Sequence, residues 1–583
     1  MRFVIAAAAL ALLSSHHQLG ISTAAGTRAY AASGDVSPVL ENATAQNKPI
    51  KTKSATGDYL RPTCVGHLSV DHPRLRGKPS DDRTEAEQVH VTLGGPNEVV
   101  VVFVTADYRA ESVVRYGSKE GELTSSATGT RRTYTQRFCP ETFQRAPVMP
   151  GSYKVVPSRE DTMRLQNTSE WLPPESAAYA KVMTETDLAP FCWPYTNENS
   201  YYESPTIHTV TLTDLLPSTT YFYACGSTPT RTFSFKTPPP VGPEVPLRVG
   251  IWADVGQSNV SLLNADSLMA YKADVNLLAG DVSYADGTPW RWDTWSSAME
   301  PLLAENLQLY CPGNHDMASG AEHGLSYIAR FPSPWQSSGS SSPLWYSIDI
   351  GPMHLISLAG TYSPIFPGSA QYEWLMDDIA GVNRALTPWL VLMWHTPFYN
   401  SNSHHQLEAE PMRGAIEERL VRAGVNLVIS GHVHSYERSH PVRNFTLDEC
   451  GPMHVVVGDG GNYEGPALPW HDEQPEWSAF REASYGTARL EIQSSTKAVF
   501  KWTRQACVRR KSGMFNVWSH ENDATYYVPQ GGGGGDGDAG PCATEDDNSE
   551  TRHVTVDEVL IRQHPARCRG EHRSTAAAVE TSK

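Results

Sequence analysis

Residues 275–284 read Val-Asn-Leu-Leu-Ala-Gly-Asp-Val-Ser-Tyr, an apolar run from Val275 to Ala279 that breaks at Gly280 and places Asp281 and Tyr284 directly behind it. A short apolar run with a glycine at its end reads as a strand buried on both faces. The pattern recurs at Leu247 to Trp252, Leu307 to Tyr310, His354 to Leu358, Trp389 to Trp394, Val425 to Ile429 and Met453 to Val457, with helix-compatible segments between. This alternation predicts an α/β domain over 247–508. In open α/β sheets, ligand-binding residues gather beyond the carboxyl ends of strands. Asp254 stands there in Ala253-Asp254-Val255-Gly256, as do Asn314-His315-Asp316 after Gly313, His395 after Leu390 to Trp394, and Gly431-His432-Val433-His434 after Val425 to Ile429. Any one of these is an ordinary turn or cap residue. Together with Asp281 and Tyr284 they form five ordered segments offering oxygen or imidazole donors, and that predicts a metal site.

Upstream the period changes. From about Val89 to Phe235 apolar residues alternate with polar ones, as at Val89, Val91 and Leu93, and Val99 to Val104 is a β-branched run. This predicts a small antiparallel β-sandwich over 84–238, interrupted by an irregular insertion at about 138–205 that carries Cys139 and Cys192. The prolines from Pro238 to Pro246 mark residues 239–246 as a stiff extended linker. Residues 32–83 are polar and irregular, and the low-complexity run Gly531 to Gly535 predicts a flexible tail over 509–583. Neither end offers a functional clue.

The chain opens with Met1, Arg2, an apolar run from Phe3 to Leu13 and the triplet Ala29-Tyr30-Ala31, which reads as a cleavable export signal over 1–31. That run is too short to span a bilayer, no later stretch is apolar enough, and the ending Glu580-Thr581-Ser582-Lys583 lacks the apolar tail of a lipid-anchor signal. No membrane partner is expected. Sequons at Asn42, Asn167, Asn259 and Asn444 agree with export. Nine cysteines with no C-x-x-C pair favour structural disulfides over a thiolate zinc site, and the odd count leaves one free or intermolecular thiol. A net charge of -17 disfavours nucleic acid and repels phosphate esters at long range, so a phosphate site here needs local positive charge, which metal ions supply. Neither a G-x-x-x-x-G-K-[ST] cradle nor a G-x-S-x-G elbow occurs.

The ordered set Asp254-x-Gly256, Gly280-Asp281-x-x-Tyr284, Gly313-Asn314-His315-Asp316, His395 and Gly431-His432-x-His434 resembles the metallophosphoesterases, and Tyr284 narrows the resemblance to the purple acid phosphatases. Similar stretches include Arg291-Trp292-Asp293, Tyr436-Glu437-Arg438 and Gly458-Asp459-Gly460-Gly461-Asn462. More weakly, Ile207 to Leu212 is similar to the sandwich of the larger members. The implied fold is a metallophosphoesterase-type α/β sandwich preceded by a fibronectin-III-like β-sandwich. Two departures stand out: many large members have Glu in place of Asp316, and Val-x-x-His in place of Leu392-Met393-Trp394-His395. Neither replaces an expected metal ligand.

The resemblance implies one metal held by Asp254, Asp281, Tyr284 and His434 and a second held by Asp281, Asn314, His395 and His432, with Asp281 bridging. Hard phenolate and carboxylate donors suit a trivalent ion, while imidazole and amide oxygen suit a divalent one, so Fe(III) beside Zn, Mn or Fe(II) is the implied pair. It further implies hydrolysis of phosphate monoesters by metal-bound hydroxide, with His315, His404 and His405 around the phosphate and leaving group. His405 is the preferred acid. A phosphodiesterase, nucleotide pyrophosphatase or phytase on the same site stays an alternative, as does, outside the enzymes, an adhesion or binding protein. Extracellular release or an acidic organelle, and a monomer or a homodimer, are left open.

Overall fold

The β-branched run Val99 to Val104 lies within strand Glu98–Thr105, which pairs antiparallel with Glu87–Gly95 on one side and Thr206–Leu212 on the other. Thr130–Arg132 completes this four-stranded sheet. A second four-stranded sheet is ordered Phe233–Lys236, Thr220–Cys225, Val113–Gly117, Ser125–Thr128. The structure, a computed structural model, describes residues 50–54, 57–61, 82–137, 201–286, 289–317, 324–471, 473–508, 551–565 and 568. The export signal, the sequons at Asn42 and Asn167, residues 138–200 of the insertion and the glycine run at 531–535 lie outside them.

The α/β domain is built on two sheets. Its strands are β1 Leu247–Trp252, β2 Val275–Ala279, β3 Gln308–Cys311, β4 Tyr346–Ile350, β5 Met353–Ser357, β6 Trp389–Met393, β7 Leu427–Ser430, β8 Tyr436–Ser439, β9 Met453–Val457, β10 Ser478–Glu482, β11 Gly486–Ile492, β12 Lys497–Val508 and β13 Thr551–Arg562. One sheet runs β3-β2-β1-β11-β12-β13 and the other β4-β5-β6-β7-β9-β8-β10. Strands β1 to β3 pair in parallel, as do β5, β6, β7 and β9. Burial on both faces explains their unbroken apolar runs. Val249, Ile251, Leu277 and Leu309 share one core with Leu355, Val391, Leu427 and Val455. Other faces pack on helices α1 Asn259–Tyr271, α2 Trp290–Leu303, α3 Ala370–Gly381 and α4 Glu410–Ala423 through Leu268, Trp295, Leu375 and Ile416.

The sandwich meets this domain along a polar seam. The buried guanidinium of Arg330 donates to Gln88, Tyr202 and Asp293, at 2.8 to 2.9 Å. Arg231 pairs with Glu300, which also accepts the Val89 N–H at 2.9 Å.

Three expectations change. The segment placed in the flexible tail contains β13, whose apolar Val559 and Ile561 pack on the core. It is pinned by Asp557, which accepts from Arg438 at 2.6 and 2.9 Å and from Tyr436 Oη at 2.7 Å. A glycine-rich run so near masked this alternation. Within the segment read as irregular, Ile50–Ser54 and Gly57–Arg61 pair antiparallel, as alternating Ile50, Thr52 and the lysines between permit. Cys450 and Cys568 form a disulfide, whereas Cys225 and Cys311 are both free, buried thiols rather than a single spare one. In apolar surroundings each behaves as a small hydrophobe, and burial pushes both thiols up.

Candidate metal centre

Each donor-bearing strand ends in a tight turn. Asp254, Asp281, Tyr284 and His432 all adopt left-handed backbone, with φ of 55°, 56°, 50° and 71°. Such conformations cost about 1–3 kcal/mol each at non-glycine residues and persist where the surroundings over-determine them. Neighbouring glycines let the turns close up. A Cβ on Gly313 would lie 2.0 Å from Asp281 Oδ1, and one on Gly431 would lie 2.3 Å from Asp254 Oδ2.

The turns converge on two buried carboxylates. Asp254 Oδ1 lies 3.2 Å from Tyr284 Oη, 3.5 Å from His434 Nε2 and 3.8 Å from His395 Nε2, while its Oδ2 accepts the His432 N–H at 2.8 Å. Asp281 Oδ2 lies 3.0 Å from His395 Nε2 and 3.4 Å from Tyr284 Oη, and its Oδ1 accepts the His315 N–H at 2.8 Å. Tyr284 Oη is 2.9 Å from His434 Nε2, and Asn314 Oδ1 is 3.2 Å from His395 Nε2. Donor atoms of Asp281, His395 and His432 lie within 4.8 Å of one another. All seven donors named from the sequence are thus brought together.

The imidazoles are oriented for donation. His395 Nδ1 faces the Ala279 carbonyl at 2.8 Å and His434 Nδ1 faces that of Gly465 at 3.2 Å. A carbonyl only accepts, so each Nδ1 holds a proton and each Nε2 is the ring atom turned toward the carboxylates. Among the described residues, the ion pairs of Asp254 and Asp281 are with histidines alone. Buried carboxylates need cations, and a set of carboxylates, phenol, amide oxygen and imidazoles is suited to holding them as metal ions. The donor set therefore fits a pair of metals.

Electrostatics follow from this crowding. Burial opposes charge on Asp281, but the His395 and His315 imidazoles outweigh it and hold the carboxyl below its usual range. Burial likewise opposes charge on His395, yet Asp281 and Asp254 raise it to about 9. Tyr284 is pushed well above a free phenol by burial and then by Asp254 and Asp281. Burial lowers His432 to about 4, so it is neutral at ordinary pH and donates its Nε2–H to Glu408 at 2.7 Å.

Of the three histidines read as surrounding the phosphate, His315 stacks on Tyr284 at 4.0 Å and sets Nδ1 on Asp286 at 2.5 Å. His405 sets Nδ1 on Glu408 at 3.0 Å, with its ring 3.9 Å from that of His432. His404 is turned elsewhere, its Nε2 on the Leu468 carbonyl at 2.8 Å. Asp286, Glu408 and Glu464 were not anticipated. Asp286 follows Tyr284 by two positions and Glu408 follows His405 by three, spacings that carry no signal until the loops close. Glu464 lies 3.9 Å from His315 and 3.8 Å from His434. Asp316 is a brace: its carboxylate accepts the N–H groups of Gly313, Asp281 and Val282 at 2.9, 2.9 and 3.0 Å, tying two donor turns together.

Three family models match the chain: "Purple acid Phosphatase, N-terminal domain" over residues 86–237, "Calcineurin-like phosphoesterase" over 247–436 and "Iron/zinc purple acid phosphatase-like protein C" over 451–510. Purple acid phosphatase 18 of Arabidopsis thaliana is 32% identical over 458 residues, covering 78% of this chain and 88% of that protein. Phosphoenolpyruvate phosphatase of Allium cepa is 39% identical over 333 residues, 53% of this chain and 69% of that one. Among solved structures, a purple acid phosphatase from yellow lupin (Lupinus luteus) seeds superposes with a TM-score of 0.56 at 21% identity, covering 72% of each chain.

Proposed function

The chain belongs to the purple acid phosphatases, and on that premise we propose that it hydrolyses phosphate monoesters at a centre of Fe(III) beside Zn, Mn or Fe(II). The observation that carries this reading is the pair of buried carboxylates, Asp254 and Asp281, whose ion pairs among the described residues are with histidines alone and which the Tyr284 phenol also approaches. Asp254, Asp281, Tyr284 and His434 would hold the ferric ion, and Asp281, Asn314, His395 and His432 the divalent one. When bound, such a pair lowers the pKa of water and neutralises charge on the phosphoryl oxygens.

The remaining work falls to side chains. Asp316 fixes the turns that present Asp281 and Asn314. His315, held at Nδ1 by Asp286 and with Nε2 3.9 Å from Glu464, would donate from Nε2 to a phosphate oxygen. His405, held at Nδ1 by Glu408, gives its Nε2 proton to the leaving alkoxide. His404 positions the rim, because its Nε2 is committed to Leu468. The chain's Allium cepa relative is named for a monoester substrate, which favours monoesters over diesters. The Cys450–Cys568 disulfide suits an oxidising compartment and so export.

His405→Ala tests the assignment. Loss of a general acid costs roughly 10²–10⁴-fold with an alkyl phosphate and far less with an aryl phosphate whose leaving group needs no proton. Equal losses on both would remove His405 from that role. Turnover of aryl phosphate, bis-aryl phosphate, ATP and phytate ranks the substrate classes, and Tyr284→Phe should abolish visible absorption arising from a ferric tyrosinate.

A further inference from the structure

Two of the sequons fall on described residues, and the fold treats them oppositely. Asn259 opens helix α1 with 0% exposure. Its partner Ser261 is built into the cap, donating to the Val255 carbonyl at 2.6 Å and accepting the Ser258 N–H at 3.0 Å. Asn444 is exposed. With Phe445 it forms the two-residue turn between the paired segments Val442–Arg443 and Thr446–Leu447, with φ of 46° and 60°. Positive φ at both central positions is the tight hairpin geometry that asparagine favours.

That turn holds everything except the atom that matters for modification. The Asn444 N–H donates to Glu417 Oε1 at 3.1 Å, and its side-chain Oδ1 accepts from Arg413 Nη1 at 3.3 Å. Phe445 is clasped between the Arg413 guanidinium, 4.6 Å from its ring centre, and Tyr399 at 5.1 Å. Asn444 Nδ2 makes no hydrogen bond among the described residues. Thr446 Oγ1 sits 3.2 Å from the Asn444 carbonyl oxygen. A substituent on Nδ2 leaves every one of these contacts intact, whereas one on Asn259 has no space within the closed helix start.

We propose that Asn444 carries an N-linked oligosaccharide and that Asn259 does not. This rests on the export reading above, because the sugar donor, a lipid diphosphate-linked oligosaccharide, is met only on the secretory route. The sugar C1–O bond to the diphosphate breaks, a C1–Nδ2 bond forms, Nδ2 gives up one proton, and the lipid diphosphate leaves. The glycan would stand beside Phe445 and Leu447, exposed by 37% and 55%.

The test takes full-length protein from a secreting eukaryotic host, releases glycans enzymatically in heavy-oxygen water, and reads the Asn-to-Asp mass label by peptide mass spectrometry, together with the mature N-terminus. Label is expected at Asn444 and not at Asn259, and Thr446→Ala should lower the intact mass by one glycan while Thr446→Ser keeps it. An unlabelled Asn444 in a chain whose leader has been removed overturns the proposal and leaves export standing. An unlabelled Asn444 with the leader intact overturns both, and label on Asn259 overturns the discrimination between the two sites.

Discussion

Two regions of this molecule draw carboxylates wholly or partly out of water, and they meet the charge differently. At the seam between sandwich and α/β domain, Asp293 and Glu300 face the guanidinium groups of Arg330 and Arg231. At the strand ends, Asp254 and Asp281 face the imidazoles of His395 and His434. A guanidinium is charged at every working pH, so the seam is a permanent clamp. An imidazole can surrender its proton, and metal binding exchanges protons for cations at such ligands. The seam is built to stay closed, and the centre is built to be loaded.

Substitutions in the two regions should therefore differ in what they damage. The largest effect is expected from Asp281→Asn, which removes the carboxylate proposed to bridge the two metals: kcat/KM should fall by at least roughly 10³-fold, with a folded protein by circular dichroism. Arg330→Met should do the reverse. Breaking a buried pair from one side costs about 3–5 kcal/mol, seen in denaturant unfolding, while the enzyme that remains folded keeps its kcat. If Arg330→Met abolished turnover without loss of stability, the division between clamp and centre would be wrong.

Smaller effects sharpen the contrast. Glu408→Gln leaves a hydrogen-bond acceptor for His432 but removes the charge, and loss of such a supporting partner costs about 10–100-fold in activity or metal affinity, read by kinetics and metal titration. A third carboxylate setting, away from both regions, tests the titratable principle. His354 in β5 lies between Asp349 at 2.6 Å and Asp378 at 3.0 Å. Burial disfavours its charge, but hydrogen bonds to both carboxylates raise it to about 9. Because the folded value exceeds the unfolded one near 6.5, its contribution is complete below about pH 6.5 and is lost as pH rises through about 9. His354→Gln should flatten that part of the stability profile, by an amount on the order of 3 kcal/mol.

The donors were legible because each stands directly behind an apolar run, as Asp281 does behind Val275 to Ala279, and a parallel strand advertises both its length and its end. Their supports were not. Glu408 reaches His432 across 24 positions and Asp286 reaches His315 across 29, distances at which no local period operates. The sandwich was readable from the alternation around Val99 to Val104, yet the seam was hidden, since Arg330 meets Gln88 across 242 positions. Strand β13 was missed because its place is set by pairing with β12 and by Asp557 closing on Arg438, neither visible beside a glycine run. Between His404 and His405 the sequence supports only a preference for His405, and in the fold Leu468 engages the former and Glu408 the latter.

Metal content tests the central claim most directly. Elemental analysis of the wild-type chain should give two metal ions per molecule, with the same value for Asp293→Asn and at most one for Asp281→Asn. Two ions retained by Asp281→Asn, or full hydrolysis by a wild-type chain that holds none, would contradict the account.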